Sequence, residues 1–429
     1  MRRFLILWIG QTASLVGSSL TSFALGVSVF QDSGSISAFA FIGLFAVLPR
    51  VLLSPISGVL VDRWDRRRAM ILSDAGAGLC TLILALLLLI GRLQLWHVYA
   101  LAGLSSAFGS IQWPAYMAAI PMLIPKGKLG RANGLIQLGF AFGEILAPPL
   151  AAFLLSRIAL HGVILVDCVT FLFAVGVLLR SRFPVSESVV PSTERPSIVS
   201  DFLRGIRFIL QRRGVATLLA YASASRFFWG MVAALITPMI LLFAMPDALG
   251  LILAVAGVGM FAGSIAMSTW GGRIPRIRGI LIFEIVSGIA FLLIGVRPSV
   301  LLIGAGVFLA HTTIAIIDGS NHSIWQAKVP RAIQGRVFSV QQMTVSAAAP
   351  VAYLLAGTLA ESIFEPLLLP DGALVQSVGR LIGSGPGRGI GLMFVLMGLL
   401  KLLIGGLMCA NRHVRNVERD LPDEGYANA

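Results

Sequence analysis

Charge is scarce in this chain. Of its 429 residues, 12% are Asp, Glu, Lys or Arg, about half the share of a soluble domain. Acid is scarcer than base, 19 residues against 33, and the formal net charge is +14. Cysteine is scarcer still. Cys80, Cys168 and Cys409 sit in or beside apolar runs, far apart in sequence. That spacing excludes a disulfide framework or a cysteine metal site. The 5 histidines are scattered. Neither a metal-ligand spacing nor a nucleophile elbow is present. The sequence therefore predicts no enzyme, no metal and no cofactor.

Hydrocarbon is what the chain has in quantity. It is 57% hydrophobic, with a mean hydropathy of +0.90. Apolar runs of about 18 or more residues recur, as a bilayer requires and a soluble core does not. We read twelve spans, at 4–30, 36–60, 69–90, 97–121, 131–155, 162–181, 214–243, 248–270, 279–296, 299–326, 333–360 and 389–409. The first is too long for the apolar region of a signal peptide and is read as retained. Gly and Pro inside spans are tolerated because neighbouring helices re-satisfy the backbone.

The basic residues fall on alternate sides of successive spans. With the N-terminus inside, 26 of the 33 lie in inner segments, from Arg2 and Arg3 through the Arg63–Arg68 loop to Lys401, Arg412, Arg415 and Arg419. The outer loops hold Arg92, Arg157, Arg297, Arg380 and Arg388. Lys and Arg are retained on the cytoplasmic side, so a multi-pass protein of the cell inner membrane is expected, with both termini cytoplasmic. The basic excess then meets anionic lipid of the bilayer, not nucleic acid.

An internal repeat orders the spans. Pro125 to Gly130-Arg131 follows span 4, and Pro330 to Gly335-Arg336 follows span 10, an offset of 205 residues. The same offset carries Gly58 onto Gly263. Two halves related in parallel place a substrate site between them near the midplane. The expected fold is all-α and integral to the membrane, with twelve transmembrane helices in two pseudo-symmetric six-helix bundles. The expected domains are a first bundle at 1–183, a linker at 184–213, a second bundle at 214–410 and a tail at 411–429. In the linker, Phe202, Leu203, Ile206, Ile209 and Leu210 form one apolar stripe with arginines off it, which predicts a basic amphipathic helix lying on the inner membrane surface. In the long outer loop 361–388, Leu374, Val375, Val378, Leu381 and Ile382 follow helical spacing and predict a short interfacial helix or cap.

Charges at bilayer depth are costly and face a cavity or a partner. Arg50 in span 2, Glu144 in span 5, Arg226 in span 7 and Asp318 in span 10 lie near the midplane, counted at about 1.5 Å per residue. Glu144 and Asp318 are the candidate proton or substrate-cation sites, with Arg50 and Arg226 as counter-charges. Asp74, Asp167 and Glu284 read more simply as buried ion pairs tying helices together, and His311 as a packing residue. Gln11, Gln112, Trp113 and Asn321 add amides and an aromatic wall suited to a bulky amphipathic ligand. Span 5 holds Gly139-x-x-x-Gly143 followed by Pro148-Pro149, a pattern for tight packing and a kink.

The stretch Gly58–Arg68, GVLVDRWDRRR, sits between two apolar runs. With Gly58, Asp62 and Arg66 at these spacings it resembles the signature loop of the major facilitator superfamily, which joins spans 2 and 3 and takes part in cytoplasmic gating. Asp62 could accept from the first amides of span 3 or pair with a facing arginine. The resemblance covers nearly the whole chain and is closest to the bacterial macrolide-efflux and enterobactin-exporter branch. It is carried by Trp8-Ile-Gly10-Gln11, the Gly58–Arg68 loop, Pro121–Asn133, Ala147-Pro148-Pro149, Asp201–Arg213, and Val329-Pro330 to Gly335-Arg336-Val337-Phe338. It implies export of a small lipophilic drug, siderophore or secondary metabolite by alternating access, with protons as the coupling ion and a monomer as the working unit. A lipid or lysophospholipid transporter on the same fold is the alternative. Proton-coupled drug exporters of this kind often carry a buried arginine in span 4. Here span 4 has none, Gln112 is its most polar candidate, and Arg50 is the residue left to take that part.

Overall fold

The computed structural model describes residues 2–124, 135–136, 138–139, 142–181, 198–270, 275–330 and 333–420. Some helical positions, Asp62 and Glu144 among them, are described by their backbone alone. The repeated loop at 125–131 and the first part of the linker lie outside the described residues, as do residues 331 and 332 of its counterpart at 330–336.

Everything regular among the described residues is helical. Spans 1 to 4 are Arg2–Ser33, Ile36–Arg63, Arg66–Leu89 and Leu95–Leu123. Spans 7 to 11 are Arg213–Leu241, Pro246–Trp270, Arg276–Val296, Val300–Lys328 and Gln334–Leu359, and span 12 is Arg388–Ala410. Between these sets runs one helix, Ala147–Arg180, of 34 residues. At 1.5 Å per residue it would be about 51 Å long, well beyond a hydrocarbon core of about 30 Å. It breaks at Ala159, where φ is 52° and ψ is −178°, so 147–158 completes span 5 and 160–180 is span 6. Ten helices among the described residues are long and apolar enough to cross a membrane. Span 4, with 29 residues, and the division at Ala159 bring the number to twelve.

Local chemistry explains several boundaries. Ser35 caps span 2, its hydroxyl accepting from Ala38 N at 3.0 Å. Asp65 caps span 3, accepting from Arg68 N at 2.9 Å, so the capping role expected of Asp62 belongs to Asp65. Asp62 instead lies in the last turn of span 2. Span 5 widens into a π-helical turn over Phe142–Leu146, just before Pro148 and Pro149. Neither proline has an N–H to return to the preceding turn, and a widened turn re-pairs the carbonyls they leave.

The chain forms two compact units, one of Met1–Pro191 with Leu249–Ala254, the other of Ser192–Ala248 with Val255–Ala429. Their internal pairing follows one scheme. Span 3 packs on spans 4 and 6, and span 9 on spans 10 and 12. Span 1 packs on 5 and 6, and span 11 packs on 7. In the first unit, Trp8 Nε1 donates to Leu135 O at 2.7 Å. A Cβ at Gly139 would lie 2.7 Å from Thr12 Oγ1, and one at Gly143 3.2 Å from Ser19 Oγ, so span 5 approaches span 1 along its glycine face. In the second unit, Gly288 and Gly295 of span 9 face Gly398 and Gly391 of span 12 so closely that a Cβ on any of them would strike backbone or side chain of the other helix.

The linker helix, Ile198–Leu210, corrects an expectation. Phe208 and Ile209 are buried in one apolar cluster with Val215, Leu218, Val337 and Val340, and Phe202 and Ile206 pack against it. Only Leu203 and Leu210 of the stripe are exposed. The helix therefore spends most of its apolar face on protein, not lipid. Val414 and Val417 from the end of the chain enter the same cluster. Glu418 closes it, accepting from Ile277 N at 3.0 Å through Oε2 and from Lys328 Nζ at 2.6 Å through its carbonyl. Within the outer segment, a short helix at Val378–Ile382 packs Ile382 with Leu368 and Leu392.

Candidate functional site

In the first unit, spans 1, 3 and 4 gather Gln11, Asp74 and Gln112. Asp74 is 5% exposed. Its Oδ2 accepts from Gln11 Nε2 at 2.8 Å. Gln11 Oε1 in turn accepts from Gln112 Nε2, and Gln112 also faces the carboxylate. Arg50 reaches from span 2 to span 4, its guanidinium beside Gly109, one turn from Gln112. Trp113 is exposed and its ring centroid is 6.4 Å from that of Tyr116. A second carboxylate, Asp167 of span 6, is 1% exposed and accepts from the Ser18 and Thr81 hydroxyls at 3.3 and 3.5 Å.

In the second unit, Arg226, Asp318 and Asn321 line one pocket with Trp229, His322 and Gln341. The cavity is about 40 Å³, room for a water or two. The Asp318 carboxylate lies in the field of Arg226, His322 and Lys401. Asn321 is buried and its Oδ1 accepts from Trp325 Nε1 at 3.2 Å. Behind the pocket, Lys401 Nζ pairs with Glu284 Oε1 at 2.8 Å, both side chains being essentially unexposed. Tyr221 donates its hydroxyl to Glu284 Oε2 at 2.7 Å. His311 packs edge-on to Trp229, with ring centroids 4.9 Å apart.

Sequence reasoning misplaced Lys401 among the inner-segment cations. It lies nine residues before the end of span 12, and Glu284 lies eight residues into span 9. The two helices run oppositely, so both charges are about 12 to 14 Å from the same end. That depth match was the available signal. For Asp74 and Asp167 the expected ion pairs are replaced by amides and hydroxyls. Backbone placement puts Glu144 in the widened turn before Pro148. Gly58 and Asp62 lie in the final turns of span 2, and Arg66 opens span 3. Arg67 donates through Nε to Leu178 O at 3.0 Å and through its terminal nitrogen to Leu179 O, so one arginine of the loop caps the end of span 6. Among the described residues no group of three or more His, Cys, Asp or Glu could hold a metal.

A sequence model described as the Major Facilitator Superfamily matches residues 7–353. The chain belongs to that superfamily. It is a multi-pass membrane transporter, not an enzyme. Macrolide efflux protein A of Streptococcus pyogenes is 25% identical over 370 residues, 84% of this chain and 90% of that protein. The multidrug efflux pump Tap of Mycolicibacterium fortuitum is 24% identical over 368 residues, 83% of this chain and 89% of that one. Among solved structures, a bacterial homologue of the lysosomal transporter Spinster, inward-facing and unoccupied, aligns with a TM-score of 0.73 at 15% identity, covering 98% of both chains. The nucleoside transporter NupG aligns at 0.73 and 12% identity, covering 96% of this transporter and 100% of that one.

Proposed function

We propose that this transporter exports bulky lipophilic compounds (drugs, siderophores or secondary metabolites) by alternating access in exchange for protons, acting as a monomer with both termini cytoplasmic. The observation that carries the reading is the pocket of the second unit. It sets the aromatic face of Trp229 beside a cation, Arg226, a carboxylate, Asp318, and the amides of Asn321 and Gln341. Aromatic and polar groups of this kind suit a large amphipathic solute, and the cavity of about 40 Å³ they enclose in this state must widen to admit one. The relatives named as macrolide and multidrug efflux pumps support the direction of transport. The basic-residue bias supports the orientation.

Within this reading Asp318 and Arg226 recognise the polar part of the solute, and Arg50 is the counter-charge of the first bundle. Glu144, in the turn that opens the Pro148-Pro149 kink, is the carboxylate for a cationic group of the solute. Gly58, Asp62 and Arg66 form a latch that must open when the transporter changes state. The test is accumulation of erythromycin and a siderophore panel in efflux-deficient cells, for wild type, Glu144→Gln and Asp62→Asn, with and without a protonophore. Wild type should accumulate less, and the protonophore or either substitution should abolish the difference. If no compound is moved, the export reading is wrong.

A further inference from the structure

The two units carry the same polar contact twice. Gln11 of span 1 donates to Asp74 of span 3, and Tyr221 of span 7 donates to Glu284 of span 9. In each pair the partners are 63 residues apart. Gln11 to Tyr221 and Asp74 to Glu284 are the same step, 210 residues, as are the starts of spans 3 and 9 at Arg66 and Arg276. The repeat has therefore kept a carboxylate eight residues into the third helix of each bundle.

What surrounds the two carboxylates differs. Glu284 has Lys401 on one oxygen and Tyr221 on the other. Its charge is matched, and releasing it would strand a lysine in a dry interior. Asp74 has Gln11 and Gln112, neither of which carries charge. Among the described residues, the titratable groups nearest it on the packed helices are engaged elsewhere or neutral. Arg67, two turns before it, is taken by the carbonyls that end span 6. Asp167 is held two turns beyond it, at Thr81. Arg50 lies at Gly109. Tyr116, one turn past Gln112 in span 4, keeps its buried hydroxyl without a partner among the described residues, as does Gln112 Oε1. Cys80 is a buried free thiol. A buried carboxylate without a cation is stable when it can take up a proton.

Asp167 also lacks a cation among its contacts, but hydroxyls ring it at 1% exposure. Asp74 differs in being met by two amides, Gln11 and Gln112, with Gln112 Oε1 left without a partner among the described residues. We propose that Asp74, held by Gln11 and Gln112, is the carboxylate that takes up and releases the coupling proton, and that the Glu284–Lys401 pair is its locked, non-exchanging counterpart.

This rests on the export reading, and its tests separate the two. Purified full-length protein is examined by infrared difference spectroscopy as pH is stepped between about 5 and about 9, the range in which a buried carboxyl titrates. Wild type should show a carboxylic-acid carbonyl band that Asp74→Asn removes and Glu284→Gln leaves. In proteoliposomes with an entrapped pH dye, Asp74→Asn should lose erythromycin-driven proton movement but keep counterflow of labelled erythromycin. Asp74→Glu should restore proton movement with a displaced pH profile. A band unchanged in Asp74→Asn overturns the assignment and leaves export standing. Loss of counterflow in Asp74→Asn and Asp74→Glu alike makes Asp74 a structural residue and overturns it too. Protonophore-insensitive efflux by wild type overturns both readings.

Discussion

Asp74 and Glu284 occupy equivalent registers of the two bundles, yet one is met by two amides and the other by a lysine and a tyrosine. A duplicated architecture does not need duplicated chemistry. One copy of a polar contact can be fixed as an ion pair while the other stays neutralisable. The helix ends that join spans differ in the same spirit. Spans 5 and 6 are joined through one strained residue, Ala159, whereas spans 11 and 12 are separated by a segment that carries its own short helices and buried Leu368 and Ile382.

The largest effect should come from making the first bundle resemble the second. Gln112→Lys would place an ammonium beside Asp74. We expect protonophore-sensitive efflux to be lost with little change in melting temperature, measured by cell accumulation and by size exclusion after heating. Retained efflux would break the comparison. Next is the reverse damage. Lys401→Met strands Glu284 and should cost about 3–5 kcal/mol, seen as a fall in melting temperature, and adding Glu284→Gln should restore most of it. If the single variant melts like wild type, the pair is no lock. The smallest effect is at the joint between spans 5 and 6. Ala159 holds a backbone conformation that glycine adopts freely, so Ala159→Gly should stabilise by at most about 1 kcal/mol. The same thermal assay reads it, and a loss of stability would show that the joint is not strained.

Much of the fold was legible because a bilayer imposes one length and one chemistry on every span. The long apolar runs therefore marked spans, and the polar residues around 156–161 marked the break at Ala159. What was not legible has physical causes. The stripe on the linker helix reports an apolar face, but the same stripe serves a lipid surface or a protein one, and only the fold shows Phe208 and Ile209 entering the second unit. Asp62 and Asp65 both stand near the start of span 3. The capping rule chooses between them only once the helix is known to begin at Arg66 and not at residue 69. Lys401 was taken for a loop residue because its depth was not compared with that of Glu284. Of the candidate site, Gln11 and Gln112 were legible as midplane amides, and Arg226, Asp318 and Asn321 come together in one pocket. Asp74 was read as half of a buried ion pair, since nothing in sequence tells a carboxylate met by amides from one met by an arginine.

The contact between Glu418 and Ile277 spans 141 residues. It fills the start of span 9 with a carboxylate, and Val414 and Val417 fill the hollow beneath. The base of the second bundle is thus closed by side chains far along the chain from the helix they cover. Removing residues 414–418 would therefore open an apolar cluster shared by the linker helix and spans 7, 9, 10, 11 and 12.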